Sequence, residues 1–404
     1  MTKQEKVGRQ QKPAPRGAFD LGALAKELSV DGVRAMLAVN SAPIGYLSTG
    51  LGLLDASLGG RGFPWGQMIH VWGDPGTGKS ALGYKAIATF QALVPDGVAI
   101  LADAEHAYNS LFASRIGVDE RRILQIEAKT GEQYMVALGA AISKASAALG
   151  PCKVLAVLDS VANLIPREVM ELEVDEKGSQ ASRARMLTQR IYPLRDAVVT
   201  GGATLLLLNQ VRKQLNVMFG SPDHPPGGMA MEHAIDMSVR FSHRGKIIRA
   251  EGADPEGSKV ATKVDKSRSC YPFRQAAFSV YFWGHVSDEE HYASALHDYD
   301  IITTDVPKEK REKGKKKDPE AEAKKKGASH YYFHGKHLGY GEGATNKAIA
   351  TDPVLREELL VLLTAAMNPS APRASFSSEF ALPPPGAEQH FEQGTSPGEN
   401  GGAA

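Results

Sequence analysis

Short apolar runs alternate with longer amphipathic stretches through the middle of the chain. Met68–Trp72, Val98–Ala102, Val154–Leu158 and Thr204–Leu208 are continuous apolar runs of strand length, the pattern of strands buried on both faces. The segments between them, such as Gly131–Ala148 and Ala181–Val199, have helical period or composition. From about Leu47 to Val286 this alternation predicts a parallel sheet with helices on its faces. Ahead of it, Leu21, Leu24 and Leu28, then Val33, Met36 and Leu37, recur at helical spacing and predict one or two short amphipathic helices over residues 18–46.

The ends read differently. Residues 1–17 are polar and rich in Pro and Gly, the composition of a disordered terminus. After about Thr303 the pattern is lost. Lys308 to Lys326 holds ten basic and five acidic residues and no aromatic, which reads as a solvated insertion within a connector over 287–328. Order is expected to return over 329–367, with an aromatic and Gly-rich stretch and a helix from about Pro353 to Ala366. Asp352 before Pro353 supplies the start signal for that helix. Residues 368–404 are rich in Pro, Gly and Ser and read as a disordered tail.

Composition narrows the setting. An apolar content of 42% in 404 residues is enough for a substantial core. Lys plus Arg number 47 against 46 Asp plus Glu, so any basic surface must be local. The two isolated cysteines, Cys152 and Cys270, read as reduced thiols rather than a disulfide framework. The polar start lacks the apolar region of a signal peptide, and no apolar run is long enough to span a membrane. A cytoplasmic location is the resulting expectation.

Candidate chemistry begins at Gly73-Asp74-Pro75-Gly76-Thr77-Gly78-Lys79-Ser80, a complete G-x4-G-K-[ST] match between the apolar run MIHVW and the helical stretch ALGYKAIATFQAL. Phosphate binding needs this context. Glycines let backbone N–H groups wrap the phosphates, and a following helix start adds positive potential. Lys79 would reach the β- and γ-phosphates of ATP, and the Ser80 hydroxyl would ligate Mg²⁺.

Two carboxylates are further candidates. Asp159 ends the strand-like VLAVLD, where a carboxylate would reach Mg²⁺ through water, although apolar strands ending in aspartate are common. Pairing with the upstream phosphate loop tips that reading toward the metal. Glu105 lies just past the end of another apolar run, on the side where doubly wound sheets bind ligands. There it would deprotonate the attacking water, and an ordinary loop glutamate is the equal alternative. His106 beside it lacks a second histidine at ligand spacing, so a metal site is set aside.

Several stretches together resemble the RecA recombinases. They are LSTGLGLLDASLGGRGFPWGQMIHVWG before the phosphate loop, LADAEHA, TGEQ at Thr130–Gln133, VLDSVANLIP, NQVRKQLNVMFGSP at Asn209–Pro222, and KVDKSRSCYPFRQAAF at Lys263–Phe278. They keep order and near-constant spacing from about Leu47 to Phe282, and a weaker echo returns at Tyr331–Gly343. The resemblance implies an α/β fold. Its parts would be a RecA-like P-loop NTPase core (47–286) with a mostly parallel sheet flanked by helices, a short N-terminal helical oligomerisation segment (18–46), and a small α+β C-terminal domain (329–367).

The resemblance also implies a function: an ATPase that forms ATP-bound helical filaments on single-stranded DNA and exchanges strands with homologous duplex. Nucleotide would sit between subunits of a homo-oligomer, and single-strand-binding or loader proteins are open further partners. Glu105 falls on the family's catalytic glutamate, and Gln210 on the glutamine that senses the γ-phosphate and leads into the second DNA loop. That loop would be Val211–Gly228, with Met218, Phe219, Gly227 and Gly228 in matching places. The first DNA loop would be about Glu168–Ser182, followed by Arg185 and Thr188. Lys266 and Arg268 fall on the basic pair that reaches a neighbour's γ-phosphate, where a cation stabilises spreading negative charge.

The chain departs from the family in places. Asn109 and Phe112 stand at the adenine-contacting positions in place of aspartate and tyrosine, Ser80 replaces threonine, and Pro225-Pro226 replaces a threonine pair. Met229 replaces an asparagine, Tyr192 replaces a basic residue, and the N-terminal helices do not match the family's polymerisation segment.

The loops also carry a reading of their own. Arg212, Lys213 and Phe219 among glycines suit backbone contact plus base stacking, though a long ordinary loop with a core phenylalanine has the same residues. Arg244 and Lys263 are further phosphate-contact candidates, against the ordinary reading of solvated surface charge. The Lys308–Lys326 run is equally a DNA handle or a solubilising linker. A ring-shaped helicase or motor on the same core, and an ATP-binding scaffold that barely turns over, are the competing functional readings.

Overall fold

The computed structural model describes residues 44–171, 176–213, 223–224, 227–250, 252–305 and 329–368, with Ala23 and Glu27 before them. The chain divides into units 1–43 and 44–404, and the elements that follow belong to the second. The expectations for the N-terminus, the Lys-rich run and the tail fall almost wholly outside the described residues.

The elements in chain order begin with β1 (Tyr46–Leu47), α1 (Gly52–Ser57), β2 (Phe63–Pro64), β3 (Met68–Gly73), α2 (Lys79–Leu93), β4 (Val98–Asp103), α3 (Ser110–Ile116), β5 (Ile123–Ile126), α4 (Gly131–Leu149) and β6 (Val154–Asp159). Next come α5 (Arg167–Glu171), α6 (Glu176–Gly201), β7 (Thr204–Gln210), β8 (Arg212–Lys213), β9 (Asp223–His224), α7 (Gly228–Ala234), β10 (Met237–Ile247), β11 (Gly257–Ser267), β12 (Gln275–Tyr281) and β13 (His285–Ser287). The last are α8 (Tyr292–Asp298), β14 (Thr303–Asp305), β15 (His330–Phe333), β16 (Lys336–Tyr340), α9 (Gly341–Thr351) and α10 (Pro353–Met367).

The central sheet has the order β13-β12-β11-β10-β3-β7-β6-β4-β5. From β10 to β5 every neighbour is parallel, and β11, β12 and β13 extend the sheet antiparallel. This is the helix-flanked, mostly parallel α/β core that the alternation predicts. The apolar runs are continuous because both faces are covered. Ile69, Val71, Leu155, Val157, Leu206 and Leu208 pack under α2, while Met68, Ala156, Leu158, Leu205 and Leu207 pack under α4 and α6.

Helix starts follow local chemistry. Thr130 and Gln133 form a reciprocal capping box that begins α4, so TGEQ has a structural task as well as a family signature. The Asp352 carboxylate accepts the Leu355 N–H at 3.1 Å to begin α10. A third apolar cluster joins Leu53 and Ala56 of α1 to Tyr292, Leu359, Leu363 and Met367, seating α10 on the core. β14, β15 and β16 form a separate three-stranded sheet beside it.

Candidate nucleotide site and DNA loops

Parallel strands end on the same edge, so Gly73 of β3, Asp103 of β4, Asp159 of β6 and Gln210 of β7 all close at the carboxyl edge of the sheet. The sheet order places β7 between β3 and β6, which sets Gln210 between the phosphate loop and Asp159.

The loop after β3 turns through two left-handed glycines, Gly76 (φ 73°) and Gly78 (φ 77°). Any side chain at Gly78 would also strike Val280 of β12, its Cβ lying 2.8 Å from a valine methyl. α2 starts directly afterwards at Lys79. The Lys79 Nζ donates to the carbonyls of Gly73 (3.1 Å) and Asp74 (2.8 Å), folded back over its own loop. Burial lowers its pKa, against the opposing pull of Asp159, Glu105 and Asp74. The ring of His243 on β10 covers the loop, its Nε2 donating to the Pro75 carbonyl at 3.2 Å.

Asp159 is almost fully buried and hydrogen-bonded to the Ser80 side chain. Burial pushes its carboxyl up to about 6, with Glu105 and Asp103 adding to the shift and Ser80 and Lys79 opposing it. Asp103, level with Asp159 across the two strands, accepts the N–H groups of Glu105 (3.2 Å), Ala107 (3.3 Å) and Tyr108 (3.0 Å). Those bonds curl the segment after β4 and present Glu105. Glu105 Oε1 accepts from the Ser160 hydroxyl at 2.7 Å and from Gln210 Nε2 at 2.8 Å.

Asn109 caps α3, its Oδ1 accepting the Phe112 N–H at 2.9 Å. Phe112 and Tyr108 both pack edge-on to Tyr84, which stands one turn beyond Ser80 on α2. Phe112, expected against the base, is thus tied to the phosphate helix through the Tyr84 ring.

Lys266 and Arg268 are not near this edge. Lys266 pairs with Ser238, level with His70, and Arg268 follows Ser267, level with the beginning of β3. Arg268 is set back roughly 17 Å along the strand from Gly73 at the usual rise per residue. Both cations turn to the C-terminal end of α7. Lys266 Nζ donates to the carbonyls of Glu232 (2.5 Å) and Ile235 (2.8 Å). Arg268 donates to Asp236 Oδ1 (2.7 Å) and to the His233 carbonyl (3.1 Å).

The second loop emerges from Gln210. Arg212 and Lys213 form β8 and pair with β9, closing its base, and Gly227 (φ 140°) and Gly228 (φ 69°) end it at the start of α7. Met218 and Phe219 lie outside the described residues, as do the side chains of Arg212 and Lys213. Much of the first loop is helical, in α5 and the start of α6. Arg185 is exposed on α6 and paired with Glu168 at 3.2 Å, while the Thr188 hydroxyl donates to the Ala184 carbonyl. Arg244 is exposed on β10, beside a bulge, and Lys263 on β11 lies over the Phe273 ring.

Sequence reasoning passed over Asp103, Ser160 and Asp236. Asp103 had a signal, since it ends the same apolar run that precedes Glu105. Asp236 had none, because its partners come from α6, β3 and the segment after β11. Among the described residues no group of three or more His, Cys, Asp or Glu could hold a metal ion, and no helix is long and apolar enough to cross a membrane.

A phosphate loop, a strand-end Asp159 hydrogen-bonded to its serine, and a Glu105 braced by Gln210 on an intervening strand define a P-loop nucleotide-binding protein of the RecA type. The RecA N-terminal domain model matches residues 20–287. Protein RecA of Rhodococcus opacus (strain B4) is 28% identical over 341 residues, 84% of this chain and 88% of that protein. Protein RecA of Corynebacterium efficiens is 29% identical over 355 residues, covering 86% and 83%. Protein RecA of Mycobacterium sp. (strain KMS) is 34% identical over 248 residues, covering 61% and 68%. The chain belongs to the RecA family, as a divergent member.

Proposed function

We propose that this chain is a DNA-dependent ATPase that assembles on single-stranded DNA as ATP-bound helical filaments and promotes homologous pairing and strand exchange. DNA recombination and repair are the general setting of its family. The observation that carries the finer reading is the division of the machinery. Lys79, Ser80, Asp159, Glu105 and Gln210 meet at the carboxyl edge of the sheet, whereas Lys266 and Arg268 stand toward the amino edge. One chain cannot bring both sets to one phosphate without breaking its sheet, but two chains stacked head to tail can.

The residues fit a magnesium nucleotide. Gly73, Asp74, Pro75, Gly76, Thr77 and Gly78 supply a cradle that admits no side chain at Gly78, and Lys79 is a buried cation held by the Gly73 and Asp74 carbonyls and the Thr77 hydroxyl of its own loop. Ser80 and Asp159 would hold Mg²⁺, which neutralises charge on the β- and γ-phosphates. Phe112 would stack on the base, and Asn109 would hydrogen-bond its edge.

Glu105 is the general base. Its Oε1 is taken by Ser160 and Gln210, so Oε2 accepts the proton of the attacking water. Gln210 holds that carboxylate and opens the second DNA loop, so the same amide links loop and base. Arg212, Lys213, Met218, Phe219, Gly227 and Gly228 contact DNA from that loop, with Arg185, Thr188, Arg244 and Lys263 as further phosphate contacts. A neighbour's Lys266 and Arg268 complete the charge stabilisation.

The test is ATP turnover with and without single-stranded DNA, combined with negative-stain imaging. DNA-stimulated turnover and open helical filaments are expected. Closed rings would support a motor, and turnover indifferent to DNA would sink the reading.

A further inference from the structure

The two cations assigned to a neighbour's phosphate are not free in the isolated chain. They sit on the end of α7, and the carboxylate at the centre of that arrangement is Asp236. Its side chain is only 3% exposed. Oδ1 accepts from Arg195 at 2.6 Å and from Arg268 at 2.7 Å, and Oδ2 accepts the Met68 N–H at 3.1 Å. The carbonyls of Glu232, His233, Ala234 and Ile235 take further hydrogen bonds from Lys266, Arg268 and Arg195. A helix C-terminus favours cations, so this is a ready resting place for all three.

The three donors on Asp236 differ in how easily they leave. The Met68 N–H is fixed in β3, and the Arg195 side chain is 28% exposed and also holds the Ala234 carbonyl. The Arg268 side chain is 49% exposed. If Arg268 departs, Asp236 keeps Arg195 and Met68, so no buried charge is left unpaired. A triphosphate offers more charge and more acceptor oxygens than one carboxylate already shared three ways.

We propose that Asp236 is a positioning residue for the trans-acting pair: it holds Arg268 against the end of α7 until a neighbour's nucleotide phosphates outcompete it. This rests on the reading that Lys266 and Arg268 act across the subunit interface. α7 is seven residues long and begins at the glycines that end the second DNA loop, so the resting place is attached to the element that meets DNA. Asp236 thereby sets the threshold for turnover without touching nucleotide itself.

Two substitutions should move the full-length protein in opposite directions. Asp236→Asn replaces a charge-assisted bond by a neutral one and frees Arg268. DNA-free turnover should rise roughly tenfold and the KM for ATP should fall, with kcat at saturating DNA unchanged. Arg195→Gln leaves Asp236 fewer competing donors, so Arg268 is held harder and the KM for ATP rises. Asp236→Glu keeps the charge and should restore wild-type KM. A merely structural role would lower stability and turnover together in both variants, with KM and DNA stimulation unchanged, and that result overturns the proposal. If Asp236→Asn does not fold, Arg195→Gln alone decides: an unchanged or lowered KM overturns it. Arg268→Ala separates the two levels. If it leaves DNA-stimulated turnover intact, the trans reading fails. If turnover collapses while the opposed KM shifts are missing, only the role of Asp236 fails.

Discussion

Gln210 Nε2 donates to Glu105 Oε1 at 2.8 Å, joining the ends of two strands that are not neighbours in the sheet. The bond crosses β6 and fixes the orientation of one carboxylate at the carboxyl edge. Under the proposed function, this contact would make hydrolysis answerable to what the segment after Gln210 binds.

Glu105→Gln should therefore keep ATP binding and lose turnover. The expected fall in kcat is about 10²–10⁴-fold, the usual contribution of a positioned general base. Gln210→Ala should lower DNA-free turnover, because Glu105 loses its brace, and should also reduce stimulation by single-stranded DNA. Steady-state turnover at increasing DNA concentration reads both effects.

The proposed division of the site between two chains predicts complementation. Lys79→Ala and Arg268→Ala should each be nearly inactive alone. Mixed one to one, they should recover turnover wherever an intact phosphate loop meets an intact Arg268, roughly a quarter of the interfaces in a randomly mixed head-to-tail assembly. Mixtures no more active than their components would place Lys266 and Arg268 outside the reaction.

Acid should weaken metal-dependent nucleotide binding. The Asp159 carboxyl is pushed up to about 6 by burial, so in the free protein it gains a proton as pH falls through that value. Its charge attracts Mg²⁺ above that range and disappears below it. Affinity for the magnesium nucleotide, measured by fluorescence titration from pH 7.5 to 5, should fall across about pH 6, and Asp159→Asn should flatten the profile at low affinity. The stability sign is opposite. A raised carboxyl pKa contributes stability below the unfolded value of 3.8, and that contribution is lost as pH rises through about 6.

Phe219→Ala should reduce affinity for single-stranded DNA by about 1–3 kcal/mol, the usual worth of one aromatic–base stack. Fluorescence anisotropy with a labelled oligonucleotide checks this, and unchanged affinity would return Phe219 to an ordinary loop role.

α10 is held to the core by apolar contact. Leu363 is fully buried among Leu53, Tyr292, Leu359 and Met367. Leu363→Ala should cost about 2–5 kcal/mol in chemical denaturation, with nucleotide binding retained.

Much of the core was legible in the chain because its signals are local. Continuous apolar runs give both-face burial, G-x4-G-K-S in a strand–loop–helix frame gives the phosphate cradle, and Asp352 before Pro353 gives the start of α10. The resemblance supplied roles for Glu105, Gln210, Lys266 and Arg268, but not where the fold would put them.

The sequence by itself determined the class of core and the phosphate-loop motif, since each depends on spacing within a few residues. Only the tertiary structure decided which strand lies between which, and with it the contact between Glu105 and Gln210 across 105 residues of chain. It also set Lys266 and Arg268 back from their own nucleotide site and gathered them with Arg195 around Asp236. Strand order and register come from packing of both faces against helices distant in sequence, and no local pattern of hydrophobic and polar residues encodes that choice.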